Sequence, residues 1–348
     1  MQPGRILVVK RDKIGDMLLT TPLLAHLREA LPRTRIEVLC TDYNGWVLDG
    51  NPDVDERWEL PRVRVGPTIR WSAVPGHLAR LARLRRARYD AVLVAQGEES
   101  PRAVRLGLSV RAARVIAYAR SGAGYGSRLT DAVPEPPETM HEIDRMLALA
   151  RALGLAPPRA PRYPSYVLPE RARRFAQSWL AERGIPPRGY VLLGLGARRA
   201  ARQPDPEQIE RWSRRWRERH GLQTVFVWTP GGSDNPVYPG DDAVAERVLR
   251  AGLAHVHPYR GPLIETLGLL WLARTSVIPD SGLMHFGAAS PGGVVGLFAR
   301  TGPPPARWAP RGPRARWIQA EGEIAAMPDA TLDRVLEPLL TGESPTCD

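Results

Sequence analysis

The second half of the chain alternates in a way that few folds accommodate. Short apolar runs at Tyr190 to Gly196, Gln223 to Trp228, Ser276 to Ile278 and Gly293 to Phe298 read as strands. Asp205 to His220, Asp241 to Ala251, Leu263 to Ala273 and Leu283 to Ala289 read as the helices among them. Such alternation gives a parallel sheet covered on both faces, whose strands are continuously apolar. The first half carries a looser version. Ile6 to Val9, Arg35 to Cys40, Glu56 to Leu60, Tyr89 to Gln96 and Arg114 to Tyr118 read as strands. Gly15 to Leu31, Gly76 to Arg88 and Thr139 to Leu153 read as helices, the first bent by Pro22. The stretch from Ala156 to Pro164 holds proline at four of nine positions, which makes it the best linker in the chain. At 348 residues the chain is comfortable for two domains, and these features predict an α/β protein built from two of them.

Open parallel sheets bind ligands beyond the carboxyl ends of their strands, so the turns there are where chemistry is sought. After the first strand come Lys10, Asp12, Lys13, Gly15 and Asp16. Gly15 permits a close backbone approach, and Asp16 sits where the turn enters a helix. A carboxylate there either complements the helix dipole or projects from the sheet edge as a functional group. Asp12 is a competing carboxylate that pairing with Lys10 or Lys13 equally explains. The Thr20 and Thr21 hydroxyls are expected to bond the carbonyls that Pro22 frees. In the second half, Asp280, Ser281 and Gly282 follow a strand and open a helix, whose first N–H groups form a natural phosphate seat. Asp280 or Ser281 is placed to cap that helix, and His285 lies one turn further in. The turn from Gly194 to Pro204 carries Arg198, Arg199 and Arg202, which can neutralise a phosphate.

Two of these stretches also carry a family resemblance. The run from Ile6 to Arg28, with Lys10, Asp12, Ile14, Gly15, Asp16 and Pro22, is similar to the opening of the family 9 glycosyltransferases, the ADP-heptose heptosyltransferases of lipopolysaccharide core assembly. Asp280 to Ala289 resembles the same family's nucleotide-diphosphate motif. The resemblance implies a GT-B fold: two Rossmann-like domains facing each other across a cleft, with residues 1–160 binding acceptor and 161–330 binding the nucleotide sugar. A last helix and tail, 331–348, close the arrangement. It implies an inverting, metal-independent heptosyl transfer from ADP-heptose to an anionic lipopolysaccharide-core acceptor, with no cofactor. Asp16 would be the base. Asp280, Ser281, Gly282, His285, Arg199 and Arg202 would hold the donor diphosphate. Asp234, Gly261 and Leu263 would contact the nucleoside, and Lys10 and Lys13 would lie on the acceptor side. One departure stands out: the family often has Lys-x-Trp-Pro where this chain has Ala201-Arg202-Gln203-Pro204. Arg199 or Arg202 would then have to replace the missing lysine, and a planar guanidinium is not a compact ammonium. Two other functions remain open on the sequence. One is transfer of a related sugar to a non-lipid acceptor; the other is sugar-nucleotide binding without catalysis.

Composition narrows the setting. The net charge is +12, and Lys10 and Lys13 are the only lysines, so the cationic character is arginine. That favours phosphorylated ligands or anionic membranes, while nucleic-acid binding would rest on charge alone. The helix from Gly76 to Arg88 is amphipathic and basic, a solvated face or a headgroup contact. Ser121 to Gly126 is glycine-rich without the strand–turn–helix setting of a dinucleotide fingerprint, and reads as a loop. His141, near the start of its helix, reads as structural. Cys40 and Cys347 are too few for a disulfide framework, and no His, Asp or Glu spacing suggests a metal site. No apolar run approaches membrane-spanning length and no signal-peptide pattern opens the chain. A cytoplasmic protein, working at the inner face of the membrane, is the expectation.

Overall fold

The computed structural model describes residues 3–342 except 62, 66–67, 121–123, 197–199 and 236–239. The chain divides into two compact units, Met1–Val167 and Leu168–Asp348. The break thus falls after the proline-rich stretch rather than inside it.

In the first unit the strands are β1 (Arg5–Val9), β2 (Arg35–Thr41), β3 (Glu56–Leu60), a small antiparallel ribbon of β4 (Arg64–Val65) and β5 (Thr68–Ile69), β6 (Ala91–Val94), β7 (Arg114–Tyr118) and β8 (Asp131–Val133). Its helices are α1 (Ile14–Leu18), α2 (Thr21–Ala30), α3 (Val74–Arg86), α4 (Pro101–Ser109) and α5 (Glu142–Ala150). The main sheet is parallel, in the order β3-β2-β1-β6-β7-β8. The second unit holds β9 (Tyr190–Gly194), β10 (Gln223–Val227), β11 (Val256–Tyr259), β12 (Thr275–Pro279), β13 (Val294–Phe298) and β14 (Ala315–Gln319). Its helices are α6 (Glu170–Ala181), α7 (Pro206–His220), α8 (Asp242–Leu249), α9 (Leu263–Leu272), α10 (Gly282–Ala289), α11 (Pro305–Trp308) and α12 (Asp329–Thr341). This sheet is also parallel, in the order β11-β10-β9-β12-β13-β14.

Both central strands are buried on both faces, which is why they read as unbroken apolar runs. Ile6, Leu7, Val8 and Val9 are all inaccessible to solvent, and so are Tyr190, Val191 and Leu192. In the second unit Val191, Leu193, Val277, Val295 and Leu297 pack against Trp212 and Trp216 of α7 and against Leu332, Leu336 and Leu339 of α12. The last helix therefore belongs to the second unit's core. On the other side, Gly268 lets α9 approach α6: a Cβ there would lie 2.2 Å from the Ala172 carbonyl oxygen.

Several elements differ from the sequence reading. The segment from Gly15 to Leu31 is two helices, not one bent helix. Pro22 sits in the first turn of α2, where its missing N–H costs nothing. The threonines before it do bond carbonyls: Thr20 Oγ1 donates to Asp16 O and Thr21 Oγ1 to Leu18 O, both at 2.8 Å. The helix read from Thr139 begins only at Glu142, because buried His141 caps it by accepting from Ile143 N–H. Strands β4, β5, β8, β11 and β14 and helices α4, α6 and α11 were not foreseen. The loop read from Ser121 to Gly126 lies partly outside the described residues, and Cys347 wholly so.

The first unit also buries a charge within its sheet. Glu37 on β2 is inaccessible and accepts from Trp58 Nε1 (2.7 Å), the Tyr89 hydroxyl, Arg5 Nε (2.8 Å) and Arg35 Nε (2.6 Å). Burial pushes its carboxyl upward, but these four donors together hold it below the usual carboxylate range. Its contribution to stability is then complete above the ordinary carboxylate pKa and lost as pH falls through the lower folded value. Glu37→Leu strands the Trp58 and Tyr89 donors and is expected to cost about 2–4 kcal/mol in urea unfolding at neutral pH. The gap from the parent protein should narrow in acid.

Candidate active site

The first unit gathers its polar residues beyond the carboxyl ends of β1 and β6. Lys10 follows β1 and is 1% exposed, with its ammonium 3.1 Å from Asp12 Oδ2. The Gln96 amide, just past β6, donates to the same carboxylate. Buried Asn44 fixes the turn: its amide nitrogen donates to the Asp12 carbonyl at 3.1 Å, and its oxygen accepts from Thr41 N and Thr41 Oγ1, both at 3.0 Å. Asp12 is thus a paired, structural carboxylate, and Lys10 is committed to it. Lys13 is exposed.

Asp16 is different. It lies in the first turn of α1, half-buried, and its Oδ2 accepts from the Lys13 N–H at 3.1 Å. Burial pushes its carboxyl up; Lys10 pulls it down; Asp12 and Glu142 push it up again, and the Lys13 N–H pulls it down. The net direction is upward, so Asp16 holds its proton to higher pH than an ordinary carboxylate and, once ionised, is a stronger base. Glu142, 3% exposed on α5, presses its carboxylate against Gly97, where a Cβ would lie 2.0 Å from Glu142 Oε1. Buried Arg145 holds that side together by donating to the carbonyls of Gly97 (2.7 Å), Pro137 (2.6 Å) and Met140 (3.0 Å).

In the second unit the turn after β9 meets the start of α10. Gly196 has φ +41°, and a Cβ there would lie 2.7 Å from Ser281 Oγ. Ser281, one of the two residues expected at the N-cap, stands there in extended conformation, but its hydroxyl makes no capping hydrogen bond. Ser281 Oγ is buried and has no hydrogen-bond partner among the described residues. A hydroxyl left unmatched beside free helix N–H groups and a close glycine turn is suited to an anion. Asp280 faces Arg202, 3.2 Å from its Nη1. His285 is 4% exposed inside the helix. Arg199 lies outside the described residues.

The loop after β10 is closed by two acids that sequence reasoning passed over. Asp241 accepts from Gln203 Nε2 at 2.7 Å, and burial pushes its carboxyl up. Asp242 takes both Arg260 nitrogens at 3.1 and 3.0 Å, Trp228 Nε1 at 2.7 Å and Gly231 N at 3.0 Å. Arg260 above all pulls Asp242 down to about 2. Asp234 is exposed further out in this loop. Gly261 and Leu263 are half-exposed beyond β11. Gly261 is dictated sterically, since a Cβ would lie 2.1 Å from the Tyr259 hydroxyl, which donates to Glu265. The structure therefore groups Asp16 with Lys10 and Asp12 in one unit, and Ser281, Asp280, Gly282 and Arg202 in the other. Gln96, at the end of an expected strand, was findable by its position at the sheet edge; Glu142 was not, because only packing brings it near. Among the described residues no group of three His, Cys, Asp or Glu side chains is placed to hold a metal ion.

Comparison with known proteins agrees with this geometry. The sequence pattern of glycosyltransferase family 9 (heptosyltransferase) matches residues 78–338. A family 9 glycosyl transferase structure from Veillonella parvula is similar with a TM-score of 0.79 and 18% identity, covering 98% of each chain. Escherichia coli heptosyltransferase WaaC with ADP has a TM-score of 0.73 and 19% identity, covering 96% of this chain and 99% of that one. The E. coli ADP-heptose lipopolysaccharide heptosyltransferase II has a TM-score of 0.73 and 21% identity, covering 98% and 100%. No curated protein matches by sequence. At these identities the likenesses show the fold, which is GT-B.

The Gly196–Ser281 approach is directly testable. Gly196→Ala places a methyl group against the hydroxyl and forces a left-handed residue. It is expected to weaken inorganic pyrophosphate binding about tenfold or more in calorimetric titration, with a melting shift of only a few degrees, about 2–6 °C.

Proposed function

The chain belongs to glycosyltransferase family 9, the heptosyltransferases, and from that premise we propose that it transfers a heptose from ADP-heptose, with inversion and without a metal, to an anionic acceptor of the lipopolysaccharide-core type. The observation that carries this reading is Asp16: a carboxylate at the edge of a parallel sheet, raised by burial and by Asp12 and Glu142, with its proton-accepting form held near Lys10. The donor follows by likeness to relatives whose structures are with ADP and with ADP-2-deoxy-2-fluoro heptose. The acceptor follows by likeness to the lipopolysaccharide heptosyltransferase II. A site of action at the inner face of the membrane goes with that acceptor; no helix among the described residues is long and apolar enough to cross a membrane.

The mechanism assigns one task to each unit. Asp16 accepts the proton of the acceptor hydroxyl as its oxygen attacks the anomeric carbon. The bond from that carbon to the diphosphate breaks, and ADP departs with the negative charge. The first N–H groups of α10, the Ser281 hydroxyl and the Gly196 turn receive the diphosphate, and Arg202 offsets its charge. Arg199, in the same turn, is a second candidate for the charge of the lysine absent at Ala201. His285 supports the turn from within α10. Gly261 and Leu263 offer backbone groups to the base, and Asp234 is the acid proposed for the ribose. Lys13, exposed beside Asp16, is proposed to face the acceptor's anionic groups, and Lys10 serves through its effect on Asp16.

Two measurements decide the reading. Asp16→Asn is expected to lower kcat by about 10²–10⁴-fold, with ADP affinity changed less than about threefold. A protein that only binds sugar nucleotides would have no turnover to lose, and a preference for UDP over ADP in calorimetry would overturn the donor. The pH profile provides the second test. A base must be ionised, so kcat/KM falls as pH drops through its pKa, and the acidic limb is expected above the ordinary carboxylate range. Asp12→Asn removes a charge that raises Asp16 and should move that limb to lower pH.

A further inference from the structure

The first unit has a second cluster of polar chemistry that the proposed reaction does not use. Arg85 at the end of α3, Arg105 and Ser109 of α4, Leu108, Arg111 and Arg128 line a cavity of about 170 Å³. Arg111 precedes β7, Arg128 precedes β8 and Arg85 comes shortly before β6. The cavity is therefore at the edge where these strands begin. Asp16 and Gln96 are at the edge where strands end, roughly a strand's length or about 15 Å away.

Two observations point to a ligand. First, four exposed guanidinium groups line one open surface cavity, and among the described residues none of them forms an ion pair. Arg85 is held in place by donating its Nε–H to the Ser109 carbonyl at 2.7 Å. Water and salt screen their mutual repulsion only in part, and an anion bound across them removes the remainder. Second, Arg111 has φ +63°, in the left-handed position that follows a helix. This chain often fills such positions with glycine, at Gly154, Gly221 and Gly342, each with positive φ, and once more with an arginine, Arg88 at φ +52° after α3, which does not line the cavity. Arg188 is another left-handed arginine, but its Nη1 donates to the Ala273 carbonyl at 2.6 Å, which explains it locally. Arg111 has no hydrogen bond of that kind, and its side chain lines the cavity. The conformation is shared with Arg88, so what distinguishes Arg111 is that it adds a fourth guanidinium to the cavity without a protein partner for its side chain among the described residues.

We propose that this cavity is a second anion site, taking a ligand with two or more phosphate groups through bidentate arginine contacts. The chemistry is that of a free polyphosphate or of phosphate headgroups on a lipid surface. The test is calorimetric titration of the full chain with inorganic pyrophosphate, alongside co-sedimentation with vesicles of phosphatidylcholine and roughly 30% phosphatidylglycerol. Pyrophosphate binding that survives Gly196→Ala but weakens about tenfold or more in Arg105→Ala/Arg128→Ala supports the site and a free-phosphate ligand. Vesicle binding lost in the same double variant supports it with a lipid ligand. Arg111→Gly separates binding from folding. It should leave the melting temperature unchanged or higher and weaken binding about threefold or more. The proposal is overturned by a single pyrophosphate event that Gly196→Ala abolishes, together with vesicle binding that is absent or indifferent to these arginines.

Discussion

The constraint on which the structure depends is the point where each sheet reverses its direction of growth. In the first unit the chain builds from β1 outward through β2 to β3, then returns to add β6 on the other side of β1. In the second it builds from β9 through β10 to β11, then returns to add β12 beside β9. At such a switch point the connections leaving two neighbouring strands run apart, and a crevice opens beyond their carboxyl ends. The groups central to the proposed reaction gather at these two places. Lys10, Asp12 and Asp16 follow β1, and Gln96 follows β6. Gly196 follows β9, and Asp280 and Ser281 follow β12. The topology therefore dictates where chemistry is feasible, and the residues decide which chemistry.

The two switch points are prepared in opposite ways. In the first, a buried ammonium and two nearby carboxylates act on Asp16 from fixed positions. Lys10 is inaccessible and tied to Asp12, so its charge stays in place when solvent or substrate moves. The result is a carboxylate that burial and Asp12 make a stronger base while Lys10 limits the rise. In the second, the preparation consists of donors left without acceptors. The Ser281 hydroxyl is buried and unmatched, and Gly196 has no side chain to cover it. Unmatched buried donors cost stability in the resting protein. Under the proposed function an incoming diphosphate would relieve that cost, and part of its binding would be the completion of hydrogen bonds the fold leaves unmade.

Much of this was legible in the sequence because the signals were local. Ile6 to Val9 and Tyr190 to Leu193 are unbroken apolar runs, and central strands of a parallel sheet can hardly read otherwise. Asp16 and Ser281 stood out because each follows such a run at a turn into a helix. What escaped was non-local or weakly patterned. Strand β11, Val-His-Pro-Tyr, lacks an apolar run and lies at the edge of its sheet. Strand β14 reads Ala-Arg-Trp-Ile-Gln and is the opposite edge. The Pro22 segment misled because proline both bends helices and begins them, and only the backbone break between α1 and α2 decides between the two. Glu142 and Asp241 act through neighbours far away in sequence, and no local pattern marks them.

Under the proposed function, an arginine takes the place of the expected lysine. At the turn before α7 an alanine stands at position 201 and an arginine beside it. An ammonium engaged by Asp280 would have spent its single charge centre on that partner. A guanidinium spreads its charge over a plane with five N–H donors. Arg202 Nη1 lies 3.2 Å from Asp280 Oδ2, while its Nε is buried with no acceptor among the described residues. Asp280 thus fixes the plane of the arginine, and donors remain for a phosphate oxygen at the start of α10. The pairing is orientation rather than neutralisation. That is the form in which an arginine can take over a lysine's position without repeating its geometry.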